Sequence, residues 1–79
     1  LISNPSQLSD AQYTATAILW SKCLDRLEGI ASAMDFLRAT RPAIQSLENR
    51  TRLDLNAASL FEARDMFDQA VDAYGGIFR

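Results

Sequence analysis

Apolar and semi-polar residues recur along the first half of the chain at Tyr13, Thr16, Trp20, Cys23, Leu27, Ile30, Met34 and Leu37, at alternating steps of three and four. This is the a/d seam of a coiled coil or of a long bundle helix. Leu19, Leu24 and Ala31 widen the seam into a core-facing stripe. Just ahead of it, Ser9-Asp10-Ala11-Gln12 has the form of a capping box: the Ser9 hydroxyl accepts from the Gln12 amide while Gln12 reaches back. Leu8 and Tyr13 stand where a hydrophobic staple would, and Asp10 in the first turn suits the helix dipole. The spacing predicts one helix over residues 9–39, behind a lead-in of residues 1–8 in which Asn4-Pro5 disfavours helix. Gly29 falls inside that helix and is tolerated there at a cost of about 1 kcal/mol relative to alanine.

Thr40-Arg41-Pro42 punctuates the pattern. Thr40 can cap, and proline is accepted in a first turn because its missing amide would be unpaired there anyway. The turn is placed at residues 40–42 and a second helix at 42–75, carried by Leu53, Leu60, Phe67 and Tyr74 at steps of seven. Ala57, Ala63, Ala70 and Val71 flank this seam. Its phase slips between Leu47 and Leu53, so the second helix is read with an irregularity near residues 50–56, or as two helices broken there. Gly75-Gly76 closes it as a C-cap, Ile77 can fold back on Val71, and residues 76–79 form a tail.

The expected fold is all-α: an antiparallel hairpin of two long helices, or three helices with a break near 50–56. Two helices cannot bury two stripes of this width against each other. Several neighbours are needed, as in a four-helix bundle or an assembly. The residues expected at that interface are Trp20, Leu24, Leu27, Ile30, Met34, Leu60, Phe67 and Val71. On this reading Leu27→Asp unfolds the protein or abolishes association. Ile18 and Phe36 lie eighteen residues apart, five whole turns, which puts them on one line opposite the seam as a secondary surface. Phe36→Ser is then expected to leave stability within about 0.5 kcal/mol.

Composition limits the functional classes. The 79 residues are 48% hydrophobic and 23% charged, enough for one domain and too apolar for disorder. A chain of this size buries only about 60% of its unfolded surface when it folds alone, so a partner would stabilise it. The net charge of −2 argues against nucleic acid, whose binding surfaces are basic. The longest uninterrupted apolar run, Ala17-Ile18-Leu19-Trp20, is far short of the roughly 20 residues of a membrane span. Charge is also segregated. Arg38, Arg41, Arg50 and Arg52 gather near the turn as a basic pole, and Glu62, Asp65, Asp68 and Asp72 gather at the far end as an acidic pole. An antiparallel pair of chains, or a head-to-tail stack, would set each basic pole beside an acidic one.

Candidate chemistry is sparse. The chain has no histidine, which removes the commonest general base and the Glu-x-x-His ligation of di-iron bundles. Cys23 lies in the seam and reads as a small hydrophobe; a single cysteine favours a reducing compartment and with it the cytoplasm. The carboxylates of Asp65, Asp68 and Asp72 share one helix face but lack the converging loop that calcium or magnesium needs. No glycine-rich phosphate loop is present. Asn49-Arg50-Thr51 matches a glycosylation acceptor, which has no meaning in the cytosol. No cofactor or metal is expected.

The expected function is therefore non-enzymatic. The chain is read as a protein–protein interaction or assembly module that uses its apolar seam to bind a second copy or a helical segment of another protein. The alternative is a small adaptor, chaperone or structural filament subunit of a secretion or phage-like machine. Val71-Asp72-Ala73 followed by Phe78-Arg79 resembles the tail of type III secretion needle subunits, small helical hairpins that stack into filaments around a proline-containing turn. The likeness covers those residues alone. The turn here, Thr40-Arg41-Pro42, lacks the Asn/Asp-Pro of that family, the second helix is longer, and no residue role is carried over.

Overall fold

The computed structural model describes residues 9–77. The lead-in of residues 1–8, Leu8 of the proposed staple, and Phe78-Arg79 of the tail lie outside them. The chain is all-helical, with α1 (Asp10–Leu27), α2 (Ile30–Thr40), a 3-10 turn (Arg41–Ala43), α3 (Leu47–Glu62) and α4 (Phe67–Tyr74). Among the described residues there is no strand.

The start of α1 follows the sequence signal. Gln12 N donates to Ser9 Oγ (3.0 Å) and Ser9 N donates to Gln12 Oε1 (3.1 Å). Its end does not. The single helix expected over 9–39 is two helices, because Gly29 adopts φ 109° and turns the chain. Glu28 N and Gly29 N both donate to the Leu24 carbonyl, closing α1. Glycine takes this backbone conformation without a Cβ clash and is a poor helix residue, so a break here costs little. The gain is that α2 folds back along α1. Tyr13, Thr16, Ala17 and Trp20 of α1 line one small cavity with Phe36 and Thr40 of α2.

The connection after α2 is longer than the expected turn at 40–42. Thr40 is the last residue of α2 and makes no cap; the second helix begins at Leu47 rather than at residue 42. Ser46 caps α3 by accepting from Asn49 N (3.0 Å). The carboxylate of Asp10 holds the turn from the side. It accepts from Gln45 N (2.8 Å), Ser46 N (3.1 Å) and Asn49 Nδ2 (2.7 Å), tying the start of α1 to the start of α3.

The irregularity expected near 50–56 is absent; α3 runs unbroken through those residues. The phase slip has another cause. Leu47 is the first residue of α3 and points to solvent, 74% exposed, so it belongs to no seam. The break falls instead at residues 63–66, where Asp65 takes φ 59° and Met66 N donates to the Phe61 carbonyl. Aspartate is one of the few residues that visits this left-handed region readily. Gly75-Gly76 does end α4 as expected: Gly76 has φ 84°, and Ile77 N donates to the Asp72 carbonyl.

Side-chain contacts fix the directions. Asp10 meets Ser46, Ser21 meets Asn56, and Asp25 near the end of α1 meets Arg64 past the end of α3, so α1 and α3 run parallel. Gly76 lies against Asp54 in mid-α3, so α4 runs back along α3. The core gathers Phe61, Met34, Leu37, Ile44 and Leu53, with alanines 17, 33, 57, 58, 70 and 73 at the close approaches. The result is flat, 40 × 27 × 15 Å.

Candidate functional site

The helices differ in which side chains they turn inward. From α1 the fully buried residues are Thr14, Ala17 and Ser21. The two hydroxyls are satisfied: Thr14 Oγ1 donates to the Asp10 carbonyl (2.8 Å) and Ser21 Oγ to the Ile18 carbonyl (2.7 Å), while Ser21 Oγ accepts from Asn56 Nδ2 (2.8 Å). The outward side of α1 carries Leu19, Trp20, Cys23 and Leu27, with Trp20 56% and Leu27 82% exposed. Of the stripe read from the sequence, Thr16, Trp20, Cys23 and Leu27 thus lie on the outer face of α1, while Tyr13 is half-buried. In α4 the pattern repeats over a shorter span: Ala70 and Ala73 face the core, and Phe67, Val71 and Tyr74 are more than half exposed.

A cavity of about 240 Å³ notches the α1 face, walled by Tyr13, Thr16, Ala17, Trp20, Phe36 and Thr40. Its walls are mainly apolar, with three aromatic residues, Tyr13, Trp20 and Phe36, among the six that line it.

Among the residues expected at an interface, Trp20, Leu27, Phe67 and Val71 are exposed. Leu24, Ile30 and Leu60 are half-buried against the core. Met34 is not available to a partner: it is 1% exposed in the chain's own core, because the break at Gly29 rotates α2 away from the phase of α1. The same break removes the secondary surface. Eighteen residues equal five turns only along one continuous helix; Ile18 and Phe36 sit on different helices, and both pack partly on the core.

The charged poles are rearranged in part. Arg38, Arg41 and Arg50 come together around a cavity of about 340 Å³ with Pro42 and Gly76. Arg52 stands apart and donates to Asn49 Oδ1 (3.1 Å). Arg41 forms a two-pronged pair with Asp54, Nε to Oδ1 2.8 Å and Nη2 to Oδ2 3.0 Å, and the Asp54 side chain is only 8% exposed. Glu62, Asp65 and Asp68 surround the α3–α4 turn, where Glu62 accepts from the Tyr74 hydroxyl. Asp72 lies in the last turn of α4, two residues before Tyr74.

Asp54, Asp25 and Asp10 are the structural carboxylates that the helical pattern did not single out as tethers. Asp25 pairs with Arg64 at 2.8 Å and closes α1 against the end of α3. The three donors at Asp10 hold its carboxyl at about 2, below the usual 3.8, the Gln45 amide contributing most. The bond to Glu62 raises the Tyr74 hydroxyl above its ordinary value, since losing the proton would set two anions together. Among the described residues no group of three or more potential ligands is placed to hold a metal ion, and no helix is long and apolar enough to cross a membrane. No protein-family model, curated protein or solved structure matches the chain.

Proposed function

We propose that this chain is a non-enzymatic interaction and assembly module whose α1 face docks on a helix, in the first instance that of a second copy. The observation that carries the reading is the outer side of α1: its fully buried residues are Thr14, Ala17 and Ser21, Tyr13, Ile18 and Leu24 are only partly covered, and Leu19, Trp20 and Leu27 stand in solvent. Burying a large apolar side chain contributes roughly 1.5–3 kcal/mol, so a face of this kind has much to gain from a partner. Trp20 beside the carbon-lined notch is the anchor, since rings in pockets dominate interface energetics.

Two α1 faces packed antiparallel complete a four-helix arrangement with the α2 helices. They bring Arg38, Arg50 and Arg52 of one copy toward Glu62, Asp65 and Asp68 of the other. Such exposed attractions select geometry and speed encounter more than they add affinity. The α4 face of Phe67, Val71 and Tyr74 is a second contact surface through which pairs could extend into a filament or reach a different protein.

The test is solution mass by light scattering over a concentration series, for the wild type and for Leu27→Asp. A mass that rises above the 8.8 kDa of one chain and returns to it in Leu27→Asp supports the reading. A wild type that stays monomeric throughout, with Trp20 fluorescence unchanged, removes self-association.

A further inference from the structure

The turn between α3 and α4 is made of residues that suit a helix. Ala63, Arg64, Asp65 and Met66 include neither glycine nor proline, and alanine, arginine and methionine are strong helix formers. A left-handed position at a helix end is normally filled by glycine or asparagine. Here Asp65 fills it at φ 59°, a conformation that aspartate accepts less freely than glycine does. Arg64 N donates to the Phe61 carbonyl, Asp65 N to the Glu62 carbonyl and Met66 N to the Phe61 carbonyl, so none of the three makes a regular helical bond. The apolar pattern meanwhile runs straight through: Leu53, Leu60, Phe67 and Tyr74 keep steps of seven across the turn.

α4 depends on its neighbour. It has eight residues, too few for a helix to persist without packing. It packs chiefly on α3 and fully buries only Ala70 and Ala73. It is tied further by the Tyr74 hydroxyl on Glu62 and by Gly76 closing over the Arg41–Asp54 pair. Each of these contacts re-forms unchanged when α4 comes from another copy of the chain.

We propose that residues 63–66 are a hinge, and that the site α4 occupies on α3 also accepts α4 of a second copy in a reciprocal exchange. Arg64 is anchored on the Asp25 carboxylate and carbonyl, so the pivot falls at Asp65 and Met66. Opened, residues 47–74 form one helix about 42 Å long at 1.5 Å per residue. Two such helices pass each other antiparallel, with the Tyr74–Glu62 bond and the Gly76 closure made between copies. The exchange keeps the packing of α4 and releases Asp65 from the left-handed region. It also adds a contact where the helices cross at the former turns, next to Phe67, which is 58% exposed in the single chain. Short strained hinges are the places where chains swap elements. The α1 face takes no part, so the exchange and α1 pairing stand or fall separately.

The test uses Leu27→Asp, which disables the α1 face. Exchange requires α4 to undock, so the protein is unfolded in urea, refolded at high concentration and sized by chromatography with light scattering. A species of twice the 8.8 kDa chain mass is expected, and it should persist on dilution. In dimers refolded from mixed isotope-labelled and unlabelled chains, filtered NMR should find the Ala70 and Ala73 methyl contacts to α3 between chains. Asp65→Gly accepts φ 59° freely and is a poor helix residue, so it should shift the equilibrium at least about ten-fold toward monomer. Asp65→Ala suits the open helix and not the turn, and should shift it at least about ten-fold toward dimer. A refolded protein that is monomeric in all three forms, α3–α4 contacts that stay within one chain, or Asp65 variants that move the equilibrium in the same direction would each overturn the exchange. None of these results touches α1 pairing, which is read from the wild type without refolding.

Discussion

α3 and α1 are of similar length, yet they solve opposite problems. α3 lies between α1, α2 and α4 and buries Leu53, Ala57, Ala58 and Phe61, together with Asn49, Asp54 and Asn56. Each of those polar side chains is bonded across to another element or to its own cap: Asn49 to Asp10, Asp54 to Arg41, Asn56 to Ser21. α1 fully buries only Thr14, Ala17 and Ser21, packs Tyr13, Ile18 and Leu24 partly on the core, and turns Leu19, Trp20 and Leu27 to solvent. A regular hydrophobic stripe therefore reports that a helix has an apolar face; it does not report whose core that face enters. In α3 the internal neighbours claim the face. In α1 the fully buried contact goes to the small-residue side, and Leu19, Trp20 and Leu27 are left over.

The largest expected effect lies on the α3 side of this contrast. Phe61 is 1% exposed and central to the core. Phe61→Ala should cost roughly 3–5 kcal/mol, from lost transfer energy and the cavity left behind. Urea denaturation reads this directly, and a loss below about 1 kcal/mol would mean that α3 is not the centre of the fold. Next comes Gly76→Ala. The left-handed backbone and the 2.6 Å approach to Arg41 predict a loss of roughly 1–3 kcal/mol. Because the strain falls on the Arg41–Asp54 pair, the Arg41 Nε–H resonance should move as well. An unmoved resonance would show that Gly76 does not press on the pair.

Asp10 connects the two helices and gives the contrast a pH dependence. Its folded pKa of about 2 is depressed from the usual 3.8. Its stabilising contribution is therefore fully present above about pH 4 and is lost as pH falls toward 2. The melting-temperature difference between wild type and Asp10→Asn should be constant above that window and shrink within it. A difference that stayed constant down to pH 2 would show that the carboxylate is not what holds the α3 start.

The all-helical class, the capping box at Ser9 and Gln12, and the glycine stop after α4 were legible because each is a local signal with a local cause. The two breaks were not. Gly29 was read as tolerated within a helix, since propensity alone sets a small cost; the fold-back of α2 onto α1 is a tertiary gain that no local term contains. Asp65 carries a weaker signal still, as aspartate is only permissive of φ above zero. The first of these spreads through the phase argument: assuming one continuous helix across Gly29 carries Met34 to the interface and Phe36 to the surface. The convergence of Arg38, Arg41 and Arg50 was half-visible as a basic cluster near the turn. Its closure by Gly76 depends on the return of α4, which the break at 63–66 creates.

The smallest expected effect on stability is also the sharpest test of the comparison. Leu27 sits in the last turn of α1 at 82% exposure. An aspartate there loses almost no burial and meets only a mild clash with the helix dipole, so the monomer should change by no more than about 0.5 kcal/mol. The sequence pattern alone leaves open whether Leu27→Asp unfolds the chain or abolishes association; an exposed Leu27 favours the second. Within the monomer, Phe36→Ser should now cost more than Leu27→Asp, the reverse of the order that one continuous helix implies, because Phe36 packs on the core and Leu27 does not. Thermal melts at a concentration below association rank the two variants. If Leu27→Asp proved the more damaging there, the outer stripe of α1 would belong to the chain's own core, and α1 and α3 would not differ in the way that makes α1 the docking face.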